Sequence, residues 1–337
     1  MLILWIVIFI ASLALLVKSA DWLVESSEKI GLFFKLSPFV IGVTIVAIGT
    51  SFPEVATTLI ATIKGNTEFV VDTAFGSNIA TILLIVGISA VIGRKLIVKR
   101  SLIDLDAPLL AVSTVLVLFM SLDKKIVLGE GIILTLGFII YLLYTIFHNR
   151  GVENEEDTPE AIEVLPLRPE RRRAKVQKDI SRIEKKPVKL GFKIFFFLIL
   201  GIVGLVIGSN YTVESVSKLA VILGINASFI TITAVAVGTS LPELVVSIKA
   251  ALKKKYELAL GNVFGSNVFT IFIVIGLPAL IRPLEINETT FSIGLPYLVV
   301  ATLLFVISGI SRKIHIWEGL MYLLIFVLFI AQFFGLF

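Results

Sequence analysis

The 337-residue chain has no cysteine, two histidines and only 16% charged residues. Without thiols it forms no disulfides and no thiolate metal sites. His148 and His315 stand beside charged segments at expected membrane edges. Histidine-based metal sites and Ser-His-Asp catalysis therefore lack parts. A soluble domain usually carries about 25% charged residues, so this chain cannot cover a globule with polar groups. Apolar sequence is what it has: 57% of residues are hydrophobic and mean hydropathy is +1.01. Lipid is the solvent such a composition fits.

Apolar runs of about 20 residues, enough to cross a bilayer, fall at 2–24, 37–63, 70–92, 103–121 and 126–147, and again at 191–216, 226–251, 258–281, 291–310 and 316–336. The first run has no basic segment before it and no small-residue cleavage site, so it reads as a retained helix and not a signal peptide. Between the groups lies 148–190. It carries an acidic stretch (Glu153, Glu155, Glu156, Asp157, Glu160) and then a basic one (Arg171, Arg172, Arg173, Lys175, Lys178). Such a composition reads as a solvated linker.

The net charge of +5 reports orientation in a membrane protein, not nucleic-acid binding. With the linker placed in the cytoplasm, the short loops on that side hold Lys29, Lys35, Arg94, Lys95, Lys99, Arg100, Lys253, Lys254, Lys255, Arg312 and Lys313. The other side holds Lys64, Lys124, Lys125, Lys218 and Arg282. The positive-inside rule then puts both termini outside the cell membrane.

The two groups are copies. A shift of 189 lays GTSFPE (49–54) on GTSLPE (238–243) and FGSNIATI (75–82) on FGSNVFTI (264–271). It also carries Asp21 to Asn210 and Glu25 to Glu214. Each copy holds five spans, and an odd number brings the second copy in from the opposite side. The sequence therefore predicts an all-α polytopic membrane protein of about ten transmembrane helices. Residues 1–147 form one five-helix repeat, 148–190 a cytoplasmic charged linker and 191–337 an inverted second repeat.

Glu54 and Glu243 fall at matching positions inside these apolar spans. A carboxylate at membrane depth costs at least about 2.5 kcal/mol on insertion scales, and here that cost recurs in both copies. Pro53 and Pro242 lack an N–H, so the carbonyls of Gly49 and Gly238 lose their helical partners. The sequence predicts helices broken there, with carbonyl oxygens freed for a hard cation. Thr50 and Ser51 lie four and three residues before Glu54, on the same helical face. Gly76 and Gly265 admit close helix approach, and Ser77 with Thr81, like Ser266 with Thr270, share a face. Asn78 and Asn267 sit to the side, where they either touch the site or bond between helices. Asp72 has no counterpart, since Gly261 stands there, and it points away from this face. Lys249 is read as snorkelling from the end of its span.

The paired GTSxPE and GSN motifs resemble the two alpha-repeats of the cation/calcium exchanger superfamily, especially prokaryotic sodium/calcium exchangers. The likeness covers nearly the whole chain. It implies that the second and third helices of each half form a core, with the others framing it and the first of each half sliding across it. It implies an antiporter of sodium and calcium, with Glu54 and Glu243 as ion ligands. The carbonyls of Ala47 and Ala236, the hydroxyls of Thr50, Ser51, Thr239 and Ser240, and Ser77 and Ser266 complete the set. Close relatives often carry Asn or Asp where this chain has Thr81 and Thr270, so the site holds two carboxylates here.

The expected partners are inorganic cations and the bilayer, with no cofactor, nucleic acid or obligate protein partner, because one chain supplies both half-sites. The principal expectation is sodium-driven calcium export by alternating access. A proton-coupled exchanger of calcium or another cation is the alternative within transport. A channel would instead conduct one ion without a counter-ion. An intramembrane enzyme would need a nucleophile with its base, or a metal triad, and no such set lies in the spans.

Overall fold

A computed structural model describes residues 2–93, 95–97, 107–152, 190–222, 240–310, 313–333 and 335. The chain is helical, and ten helices are seen among the described residues. They are α1 (Leu2–Phe34), α2 (Pro38–Ile63), α3 (Glu68–Ile92), α4 (Ala107–Met120), α5 (Leu128–Val152), α6 (Phe192–Ile222), α7 (Leu241–Leu252), α8 (Tyr256–Ala279), α9 (Thr290–Ile310) and α10 (Ile316–Phe333). Eight are long and apolar enough to cross a membrane. The shorter α4 is apolar as well, and α7 is described from Leu241 to Leu252. Three helices run several residues past the predicted spans: α1 to Phe34, α5 to Val152 and α6 to Ile222. The linker's first residues, 148–152, are thus helical, and its acidic and basic stretches lie outside the described residues.

The internal copy shows in the backbone. Ser37 caps α2 by accepting from the Val40 N–H, and Pro38 opens the helix, where a missing N–H costs nothing. At the other end, Gly65 takes a left-handed φ of 86°, and the Asn66 N–H reaches back to the Ala61 carbonyl. One repeat later Lys254 takes φ 60°, and the Lys255 N–H reaches the Ala250 carbonyl. The same left-handed helix stop is built once with glycine and once with lysine.

Two short antiparallel ribbons tie the halves to each other. Strand β1 (Lys95–Ile97) pairs with β4 (Lys313–His315), and β2 (Lys125–Ile126) pairs with β3 (Leu284–Glu285). By the repeat shifts, β1 corresponds to β3 and β2 to β4, so each ribbon joins a strand of one half to the copy of that half's other strand. One ribbon follows α3 and the other follows α4, which places them at opposite ends of the bundle. That exchange is the mark of a pseudo-twofold lying across the helices.

Helices α2, α3, α7 and α8 form the centre. Along its 18-residue apolar window α8 is fully enclosed by protein. Glycines set the spacing: a Cβ on Gly265 would stand 2.4 Å from the Val43 carbonyl, and one on Gly261 2.5 Å from that of Phe39. Backbones of α2 and α8 therefore touch. On one side α1 and α6 pair with each other. Gly201, Gly204 and Gly208 of α6 abut Leu23, Ser19 and Leu16 of α1, a small-residue seam typical of helices packed in lipid. Apolar side chains face outward along the frame: Ile3, Phe119, Ile140, Phe192 and Leu324 are all at least half exposed.

Candidate functional site

The two motif glutamates meet. Glu54 on α2 is 2% exposed and Glu243 on α7 is 1% exposed. Each has one carboxylate oxygen held by a hydroxyl and one with no donor among the described residues. Ser77 on α3 donates to Glu54 Oε1 at 2.6 Å. Ser51 on α2 donates across the halves to Glu243 Oε1 at 3.0 Å. The Oε2 atoms of both glutamates have no hydrogen-bond partner among the described residues. Ser240 Oγ lies 3.4 Å from Ser77 Oγ, which closes the ring between the halves. Thr270 of α8 faces the Glu54 carboxylate and Thr50 faces that of Glu243. Thr81 is buried with its hydroxyl unpartnered. No described lysine or arginine pairs with either glutamate.

The local backbone departs from the sequence reading. Helix α2 does not break at Gly49–Pro53; it runs helically from Pro38 to Ile63 with Pro53 inside. What Pro53 removes is one bond, the one Gly49's carbonyl would accept. The irregularity instead takes the form of wide π-turns at Gly42–Val46, Ala80–Val86 and Thr270–Ile275. The last two occupy matching places in the repeat and begin at or beside Thr81 and Thr270. Such turns cluster at functional sites because they release carbonyls from the regular ladder. Composition gives no signal for them.

The hydroxyls are also shared differently from the expectation of one helical face. Ser51 serves the other half's glutamate, and Thr50 donates to the Ala47 carbonyl at 3.2 Å and to Asn262 Oδ1 at 3.3 Å. Ser266 turns away, donating to the carbonyls of Asn262 and Val263 in its own helix. Among the described residues neither Ser266 nor Thr81 hydrogen-bonds a glutamate carboxylate. Ala236 and Thr239 lie outside the described residues.

Asn262, absent from the sequence-derived set, joins the site. Its Nδ2 donates to Ser247 Oγ at 2.9 Å and reaches the Glu243 carbonyl at 3.5 Å. The Gly261-Asn262 pair was the available signal, masked because the first copy carries Asp72-Thr73. Asn78 and Asn267 make no hydrogen bond between helices among the described residues. Each donates back to its own helix, to the Ala74 and Val263 carbonyls, and leaves a buried Oδ1 unpartnered. Asp72 stands apart from the glutamates, as its helical angle predicts. Both its oxygens accept from Asn287 Nδ2, and Thr290 Oγ1 donates to it as well.

Chemically this is a buried cage of oxygen acceptors, two of them anionic, with no protein cation among the described residues to balance them. Hard cations are what such donors hold. Two carboxylates are present, and no group of three or more Asp, Glu, His or Cys forms among the described residues.

Comparison with known proteins places the chain. The family model "Sodium/calcium exchanger protein" matches residues 4–147 and 193–335, one stretch per half. An uncharacterized membrane protein of Methanocaldococcus jannaschii is 32% identical over 98% of this chain and 99% of its own length. The sodium/calcium exchanger MaX1 of Methanosarcina acetivorans is 31% identical over 97% of each. The solved sodium-calcium exchanger NCX_Mj superposes with a TM-score of 0.78 at 29% identity, covering 98% of this chain and 99% of that one. Both halves, the full length and the tertiary arrangement thus agree, and the chain belongs to the sodium/calcium exchanger protein family.

Proposed function

We propose that the protein is a secondary antiporter that uses inward sodium flow to export calcium, both ions sharing the site at Glu54 and Glu243. One observation carries this reading: two fully buried carboxylates, each with an oxygen lacking any donor among the described residues, lie together with no described basic side chain beside them. Two unpaired charges in so dry a place are costly, and a bound cation offsets that cost. The pair neutralises one divalent ion or two monovalent ions, which makes occupancy exclusive. Around them Ser51, Ser77, Thr50, Ser240, Thr81 and Thr270, with the Ala47 carbonyl and Asn262, supply neutral oxygens. From the undescribed segment, Ala236 and Thr239 complete the second half-site by the repeat. Family membership and the likeness to MaX1 and NCX_Mj support sodium and calcium as the ions.

Alternating access follows from the inverted repeat, in which each half takes the other's role. The two membrane repeats, 1–147 and 191–337, flank the linker 148–190, with that linker cytoplasmic, both termini outside and one chain sufficient. A proton-driven version is favoured by one feature: with Thr81 and Thr270 in place, the two glutamates are the only ionisable groups found in the site among the described residues.

Radiolabelled calcium uptake into proteoliposomes tests this. Uptake should require internal sodium, with potassium-loaded vesicles inactive. Uptake driven by an acid interior without sodium would establish the proton-coupled form. Cation leak in every condition, with no gradient dependence, would replace the antiporter by a channel.

A further inference from the structure

At one end of the site helices, charge joins α1 to α7. Asp21, Glu25 and Glu28 follow one another by four and three residues, on one face of α1. Lys253 Nζ stands 2.8 Å from Asp21 Oδ1, and Lys249 Nζ 3.2 Å from Oδ2. Lys253 also lies 3.5 Å from Glu25, and Lys255 pairs with Glu28 at 2.5 Å. Lys249 therefore does not snorkel freely but is tied down. The Asp21 and Lys249 side chains are 23% and 25% exposed, sheltered enough for such pairs to exceed the ordinary surface value. Burial lowers the Lys253 ammonium pKa, but the bond to Asp21 and the charges of Asp21 and Glu25 outweigh it and leave it raised. Beneath these pairs, Val246 and Ala250 of α7 share an apolar cluster with Ala20, Leu23 and Val24 of α1. Glu243 lies one turn further along α7.

The inverted copy has no equivalent. Moving by the repeat shift, Asp21, Glu25 and Glu28 become Asn210, Glu214 and Ser217. Lys249, Lys253 and Lys255 correspond to Ile60, Lys64 and Asn66. Of these, Glu214 and Lys64 alone have opposite charges, and no ion pair joins them among the described residues. When two inverted halves exchange roles, a fastening present in one half only stabilises one of the two states.

From this asymmetry we infer that the Asp21–Lys249–Lys253 cluster is a one-sided latch. It holds the α1–α6 pair, zipped by Gly201, Gly204 and Gly208, against α7 and keeps the site closed toward that face. The inference rests on the alternating-access reading, but its test needs no transport.

The chain has no cysteine, so Val246→Cys, at a position 0% exposed beneath the latch, is a single reporter for a membrane-impermeant maleimide. Reaction is followed from each face of oriented vesicles. Adding Asp21→Asn should raise the labelling rate from the latch face roughly fivefold, as loss of a sheltered pair shifts the balance of states. Building the missing copy with Asn210→Asp and Ile60→Lys should raise it as well, by stabilising the opposite state with every native pair intact. Unchanged labelling in both backgrounds would overturn the latch, as would an Asp21→Asn protein that loses thermal stability while its labelling rate stays fixed. A chain that failed to exchange sodium for calcium would still report on the latch through these rates.

Discussion

Replacing Glu54 by Gln isolates the charge from the shape of the site. The amide is nearly isosteric, and its oxygen can still accept from Ser77, which now donates to Oε1 at 2.6 Å. The fold around α2 and α3 should therefore survive. One of the two negative charges facing the ion is lost. A divalent ion about 2.4 Å from a carboxylate oxygen gains about 14 kcal/mol from one unit charge at an effective dielectric of ~20. Ion desolvation and the pull retained by the amide oxygen cancel much of this. If only about 4 kcal/mol survives, calcium affinity falls about a thousandfold. The assays are calcium titration in detergent and radiolabelled uptake into sodium-loaded vesicles, with a melting curve to show the protein is folded. A folded Glu54→Gln protein that binds and transports calcium at wild-type concentrations and rates would refute the reasoning. Glu243→Gln should behave alike, because its buried surroundings are the inverted copy.

Three other perturbations follow. Asn262→Ala removes the group that links Thr50, Ser247 and the Glu243 carbonyl; a loss of about 1–3 kcal/mol should appear as a ten- to hundredfold drop in transport efficiency, measured as the initial uptake rate at low calcium. Gly265→Ala places a methyl 2.4 Å from the Val43 carbonyl, so α8 must leave α2, lowering stability by about 1–3 kcal/mol in thermal unfolding and weakening calcium binding together. Asp72→Ala strips the acceptors of Asn287 and Thr290, and should destabilise by about 2–3 kcal/mol while the calcium concentration for half-maximal uptake stays unchanged.

The sequence alone determined the membrane class, the succession of apolar helices, the duplication and the matched buried glutamates. These rest on signals that need no third dimension: apolar length against bilayer thickness, an odd count of spans per copy, and a charge whose burial is too costly to recur by accident. Glu54 and Glu243 were legible for that reason, and Ser51 and Ser77 stood out from the repeated motifs that hold them. Tertiary structure decided which hydroxyl serves which carboxylate. Helical spacing put Ser51 with Glu54, yet the pseudo-twofold brings α7 closer, and Ser51 bonds Glu243. The expected helix break at Pro53 gave way to a continuous helix, since one missing N–H is tolerated where neighbouring helices enclose the backbone; the wide turns beginning beside Thr81 and Thr270 depend on packing that no residue pattern announces. Asn262 stayed hidden because its repeat partner is Thr73. The pairing of Asp21 with Lys249 and Lys253 joins residues more than 220 positions apart, and only the fold could bring those charges together.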